Sequence, residues 1–427
     1  MGHVVNADRE YRLLQQRLDR NITGAPYSPV FIQILKLLFA PAEAAIARQI
    51  PLRPVAVAQL ARKTGLAEAR LQEQLQAMAV KGLVFDWEHR GTGYVVLAPV
   101  VIGFFEFVFM RTRDDLDMAE LAKLFEEYML KDDRFAREVF RESTQLGRTL
   151  VREEALPAGD YAEVLDWEKA TGIITAAGTI GLSLCACRHK ASHLHKACAA
   201  PLRTCLTFGN GAGMLIKKGM AEPVTVNEAL QVLATCKQAG LAQIADNVQN
   251  AVGFMCNCCG CCCGMLQAIR TFNLQQSVVT SGWLAQMNST ECRGCGLCVE
   301  ACPVTAISLT AAPAAGRPRA VVAAELCLGC GVCYSACKRG SIRMVKRDRQ
   351  VVVPETTFDR MVAMAMERGK LSNFLFDDPS RLSHRALGRI AAVIEKSAPV
   401  KALLAVQSIR STFLATIAAK AKQYTDR

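Results

Sequence analysis

Hydrophobic and polar positions along the chain fall into stretches with helical spacing and shorter stretches with strand-like character. Residues 5–22 place Tyr11, Leu14 and Leu18 on one face of a charged helix. Pro29–Ile50 continues in helical period and is interrupted near Pro41. Pro54–Lys63 predicts a short helix ending at Thr64-Gly65. Leu66–Lys81 predicts a second, with Leu71, Leu75, Met78 and Ala79 at helical spacing and Gly82 as its stop. Two β-prone stretches follow, Leu83–Trp87 and Tyr94–Leu97, around the turn Arg90-Gly91-Thr92-Gly93. Residues 104–170 read as helices rich in charge and aromatics, with a break at Pro157-Ala-Gly-Asp160. Val224–Ala245 predicts a pair of helices turning at Gly240. The tail, 355–427, reads as helical and basic through Phe358–Arg368, His384–Lys396 and Val400–Lys420, with Pro399 between the last two.

Three helices followed by a β-hairpin resemble the winged helix-turn-helix domain of many bacterial regulators. The expected fold class is therefore multidomain α+β, mostly α. An N-terminal helix (1–26) precedes a winged-helix-like domain (27–103) and a helical connector (104–170). A cysteine-rich helical domain (171–284), a ferredoxin-like dicluster domain (285–350) and a helical C-terminal region (351–427) follow. The candidate recognition helix sets Arg70 and Lys81 against Glu68 and Glu73, and the hairpin adds Asp86, Glu88 and Arg90. A DNA reader needs Lys or Arg near its base-reading face. The balance disfavours DNA and favours a winged helix used for protein contact or dimerisation, hence a homo-oligomer.

Composition redirects the reading toward redox chemistry. The chain has 427 residues, enough for about three domains, and 19 cysteines, none before Cys185 and none after Cys337. A disulfide scaffold is short and spreads its cysteines along the chain. Here many stand one or two residues apart, too close to bridge one another without strain. The pattern predicts metal or cluster ligation in a reducing compartment, and a cytoplasmic protein. Residues 1–24 carry no apolar signal core, and Asn6 stands where a myristoylation motif needs Ser or Thr. The longest apolar runs, Tyr94–Met110 and Gly172–Cys187, fall short of a ~20-residue span, and the first holds Glu106. The formal charge is +12. Two four-thiolate cubanes, each about −2, would lower it to about +8. That excess fits solubility, or docking to an acidic redox partner or to nucleic acid.

The most specific signal is a repeat. Cys292-x2-Cys295-x2-Cys298-x3-Cys302-Pro303 recurs 35 residues later as Cys327-x2-Cys330-x2-Cys333-x3-Cys337, and Ile307 and Leu309 recur as Ile342 and Met344. Three thiolates two residues apart wrap a tight loop around one face of a cubane. The repeat resembles bacterial-type ferredoxins, whose fourth ligand comes from the other copy. That resemblance implies two 4Fe–4S clusters, one on Cys292, Cys295, Cys298 and Cys337, the other on Cys302, Cys327, Cys330 and Cys333. Lys338 replaces the proline that follows the first copy, so a cation sits beside Cys337. The basic run Lys338, Arg339, Arg343, Lys346, Arg347 suits an acidic donor or acceptor, or equally a solvated turn.

A second set of cysteines is harder to assign. Cys185, Cys187, Cys198 and Cys205 form one group; Cys256, Cys258, Cys259, Cys261, Cys262 and Cys263 form another roughly fifty residues on. A hairpin of helices between them is expected to bring the groups together, with Cys236 in its core. The spacing matches no cubane loop. A further iron–sulfur centre is the first reading; zinc, joined by His189, His193 or His195, and a redox dithiol are the others. Arg188, Lys190 and Lys196 count against the histidines. Gly209-Asn-Gly211-Ala-Gly213 lacks the strand–GxGxxG–helix layout of a dinucleotide site.

From the winged helix through Cys-x-Cys-Arg and Cys-Asn-Cys-Cys-Gly-Cys-Cys-Cys-Gly to the twin motif, the chain is similar to a family of iron–sulfur proteins of anaerobic bacteria. The similarity implies cluster binding and names no reaction. The leading expectation is an electron-transfer protein whose two clusters serve a partner oxidoreductase or a further centre in the middle domain. The alternatives are a redox-sensing DNA-binding regulator and a reductase with an open iron–sulfur site among the middle cysteines.

Overall fold

The computed structural model describes residues 7–157, 164–310, 317–348 and 351–376. Helix α1 (Ala7–Asp19) buries Tyr11, Leu14 and Leu18 as its periodicity requires. It packs on α2 (Pro29–Leu38), capped by the Ser28 hydroxyl, and on α3 (Pro41–Ala47), where Pro41 starts a new helix. Next come β1 (Val55–Ala56), α4 (Val57–Thr64), α5 (Glu68–Lys81), β2 (Val84–His89) and β3 (Thr92–Leu97). Gly65 and Gly82 end α4 and α5 in left-handed conformation, and the three strands form an antiparallel sheet in the order β1-β3-β2. Helices and hairpin lie at the bounds read from the sequence to within a few residues.

This N-terminal unit packs against the rest of the chain. Lys218 pairs with Asp86 of β2 at 2.8 Å, and Arg111 donates to the carbonyls of Val80 and Lys218. No single helix among the described residues is long and apolar enough to cross a membrane.

The middle of the chain departs from expectation. It is built on a six-stranded antiparallel sheet in the order β4-β8-β9-β6-β5-β7, not on helices alone. The strands are β4 (Gly147–Thr149), β5 (Ile180–Leu184), β6 (Arg203–Phe208), β7 (Glu222–Pro223), β8 (Ala242–Asp246) and β9 (Phe254–Cys258). The expected helical pair is one helix, Val226–Gln238, followed by β8. Gly240 turns the chain at φ +73°, and β8 then runs buried on both faces between β4 and β9. A strand buried on both faces shows no alternation, which is why Leu241–Ala245 reads as helix from sequence. The sheet also reaches back to Gly147, so the connector supplies its edge strand. The glycine run Gly209–Gly213 does follow a strand and open a helix, Gly209–Lys217, but every strand pairing in this sheet is antiparallel and offers no βαβ crossover.

Residues 283–346 form two antiparallel ribbons, β10 (Trp283–Met287) with β13 (Ile342–Lys346) and β11 (Ile307–Thr310) with β12 (Arg319–Val322). Each cysteine loop leads into a five-residue helix, Leu297–Ala301 or Val332–Ala336, and the two helices pack together. Helix Thr357–Glu367 docks on the connector and sheet: buried Arg360 pairs with buried Asp246 and donates to the Leu146 carbonyl at 3.0 Å. The tail segments His384–Lys396 and Val400–Lys420 lie outside the described residues.

Candidate metal centres

The two ferredoxin-like loops are related residue by residue. Gly294 and Gly329 occupy equivalent places with φ of +68° and +73°. A Cβ on Gly294 would stand 2.1 Å from the Pro318 carbonyl oxygen, and one on Gly329 2.1 Å from that of Trp283. Each loop is thus pressed against a neighbouring strand so closely that only glycine fits.

The structure groups the eight thiols across the copies. Cys302, Cys327, Cys330 and Cys333 line one cavity with Ala285, Val304, Ile307 and Leu328. Cys298 lies within electrostatic reach of Cys292, Cys295 and Cys337. Backbone amides point at the sulfurs: Ala306 donates to Cys302 at 3.2 Å and Ala320 to Cys292 at 3.4 Å. The Cys337 thiol is opposed by burial but overcome by donors from Arg339, Ser341 and Gly340, which hold it below the ordinary thiol range. Lys338 itself is exposed.

The two sets differ in depth. In the first, Cys295 is exposed, Cys292 and Cys337 are half-buried and Cys298 is buried; in the second, Cys302 is half-buried and Cys327, Cys330 and Cys333 are buried. Arg152, 2% exposed, lies against the deeper set; its amide donates to the Cys330 carbonyl at 3.1 Å. Its guanidinium is held by the carbonyls of Lys237 and Leu241 and senses the charges of Cys330 and Cys333.

Strands, rather than a helical hairpin, bring the middle cysteines together. Cys205 on β6 neighbours Cys256 on β9; Cys185 follows β5 and caps helix Ala186–His193; Cys263 caps helix Gly264–Phe272. The thiols separate into two sets. The inner set is Cys185, Cys187, Cys205, Cys256, Cys258 and Cys263, linked by thiol–thiol contacts of Cys187 with Cys263, Cys205 with Cys256, and Cys258 with both Cys256 and Cys263. Burial raises Cys185 to about 12, whereas contacts from Cys187 and Cys258, with the amides of Leu266 and Met265, lower Cys263. Cys258 and Cys263 of this set are buried, and Cys185, Cys187, Cys205 and Cys256 are half-buried.

The outer set is Cys198, Cys259, Cys261 and Cys262, whose sulfurs all lie within 4.8 Å of one another. Cys256 and Cys258, two apart on β9, share one face of the strand, and Cys259 lies past its end, where the chain turns away. Cys236 is fully buried in helix Val226–Gln238, as expected of a core residue.

Two residues of this site escaped the sequence reading. Half-buried Glu106 lies beside the inner set and accepts from the Gly103 amide at 2.8 Å; desolvation pushes it up to about 8, and the charges of Cys256 and Cys263 add to that effect. Its signal was a lone acid in the longest apolar run. Arg188, 1% exposed, donates to the Cys259 sulfur at 3.5 Å and to the Asn257 carbonyl at 3.4 Å. The histidines stand apart from the thiols: His189 contacts the Phe109 carbonyl at 2.8 Å and His193 at 3.3 Å, and the outer set contains no histidine.

Residues 291–341 match the family described as the 4Fe-4S dicluster domain. No curated protein and no solved structure matches the chain. The matched segment contains all eight cysteines of the repeat, so this part of the chain is an iron–sulfur unit that binds 4Fe–4S clusters, and a separate cysteine cluster lies in the middle of the protein.

Proposed function

We propose that the protein transfers electrons between an outside redox partner and a further centre held by the inner thiols, by way of two 4Fe–4S clusters. The first cluster is assigned to Cys292, Cys295, Cys298 and Cys337, the second to Cys302, Cys327, Cys330 and Cys333. When bound, such clusters supply one-electron chemistry. The chain's own part is to hold them in sequence from surface to interior. The exposed Cys295, with Lys338 and Arg339 beside Cys337, offers an entry for an acidic partner.

One contact carries the inward half of this reading. Gly260 sits in the middle cysteine loop, and a Cβ there would stand 2.3 Å from the carbonyl oxygen of Pro303. The loop therefore abuts the residue next to Cys302. An iron and acid-labile sulfide count on protein purified without oxygen tests the proposal. More than eight sulfides per chain supports a third cluster. Eight would leave the ferredoxin pair alone and refute the inner centre. Far fewer would refute the whole reading.

Glu106 favours a second reading of the same thiols, a reductase. Six thiols exceed what a cubane needs, and a carboxyl beside them whose pKa is raised holds a proton for a substrate. A spectral change on adding substrate, absent in Glu106→Gln, would separate the reductase from a pure carrier.

A further inference from the structure

We infer that Cys198, Cys259, Cys261 and Cys262 hold a single tetrahedrally coordinated metal ion, zinc or iron, distinct from every iron–sulfur cluster of the protein. The first argument is distance. The four sulfurs all lie within 4.8 Å of one another, with Cys198 to Cys259 and Cys261 to Cys262 each at 3.6 Å. Four thiolates about 2.3 Å from one ion stand about 3.8 Å apart at the corners of a tetrahedron. The four cysteine sulfurs of a cubane each bind a separate iron and stand roughly 6 Å apart. The outer set has the first geometry.

The second argument is charge. Four thiolates around a divalent ion leave a net charge of about −2, which needs a counter-ion when part-buried. Arg188 meets that need. It is buried and donates through a terminal guanidinium nitrogen to the Cys259 sulfur at 3.5 Å. A buried guanidinium against a thiol is stabilised when that thiol is ionised, as a metal ligand is.

The third argument is placement. Cys261 is exposed and Cys198 and Cys259 are half-buried, so an ion reaches this site from solvent. The ion would clamp the turn Cys259-Gly260-Cys261, the turn that rests on Pro303. Its role is to fix the loop that joins the middle domain to the ferredoxin unit. The inference is independent of what the inner thiols hold.

The test uses the full chain, purified without oxygen. Iron, zinc and sulfide are counted in the wild type, in Cys261→Ser and in Cys198→Ser. The expected result is loss of about one metal equivalent with no loss of sulfide. Zinc and iron are told apart by which metal is lost, and by the mononuclear ferric resonance that only iron gives. Cobalt added to metal-stripped protein should give the visible bands of a tetrahedral tetrathiolate, weakened in Cys261→Ser. Retained ferredoxin-cluster absorbance shows that the variant is folded; Cys261→Ser, at an exposed position, is chosen for this. Loss of several irons together with sulfide would make the outer set part of a cluster and overturn the inference. Unchanged metal content, with no cobalt bands, would overturn it as well.

Discussion

At Arg152 a buried cation sits beside the deeper thiol set, within reach of Cys330 and Cys333. A positive charge favours the more negative, reduced state of a cluster. Arg152→Gln should therefore lower the potential of the inner ferredoxin cluster by ~30–60 mV, the equivalent of about 0.7–1.4 kcal/mol for one electron. Arg152→Lys should restore most of it. A redox titration followed by electron paramagnetic resonance would resolve the two clusters; equal shifts in both would refute the assignment. Gly260 allows a paired test. Gly260→Ala puts a Cβ into the Pro303 carbonyl and should cost about 1–3 kcal/mol by thermal unfolding. Gly213→Ala, in a helix with nothing within 4 Å of the new atom, should stabilise by about 0.5–1 kcal/mol. The same chemical change with opposite signs isolates the close approach from glycine's flexibility.

At the level of elements, helix Thr357–Glu367 is fastened to β8 by the buried pair Arg360 and Asp246. Removing one partner strands the other. Arg360→Met should destabilise by about 3–5 kcal/mol, and the double variant with Asp246→Asn by less than the sum of the two single changes. Chemical unfolding of all four proteins checks this; strict additivity would deny the coupling. The outward face of α5 presents Glu68, Arg70, Gln72, Glu73 and Gln76, while β2 is engaged by Lys218. Elements with clear amphipathic period and glycine stops, such as α4 and α5, were legible in the sequence. The twin cysteine loops were legible because their spacing repeats. Strand β8 was not, since burial on both faces erases the alternation that marks a strand. The division of the middle thiols was hidden as well. Cys258 and Cys259 are neighbours in sequence and part company because β9 ends at Cys258 and the chain turns at Cys259. Glu106 joins them from 150 residues away through tertiary packing alone.

For the molecule as a whole, the gradient from the exposed Cys295 to the half-buried and buried inner thiols gives the protein a direction. A partner that docks on Lys338 and Arg339 should respond to charge reversal there. Lys338→Glu with Arg339→Glu should slow reduction by an acidic carrier on the order of tenfold at low salt, and the difference should fade as salt rises. Stopped-flow reduction at several ionic strengths checks both statements; a salt-independent effect would place the docking surface elsewhere.

The burial of Cys327, Cys330 and Cys333 also bears on how the molecule is made. A finished fold closes over those sulfurs with Ala285, Val304, Ile307 and Leu328, leaving little passage for a preassembled cluster. On the proposed ligand assignment, that cluster is expected to enter before β10 and β13 pair. The shallower site, with Cys295 in solvent, can be filled or repaired afterwards. Ferrous iron and sulfide added together, with a thiol reductant and without oxygen, should accordingly restore the outer cluster of folded apoprotein readily and the inner one only after partial unfolding, so a chain damaged by oxygen would regain its entrance long before its interior.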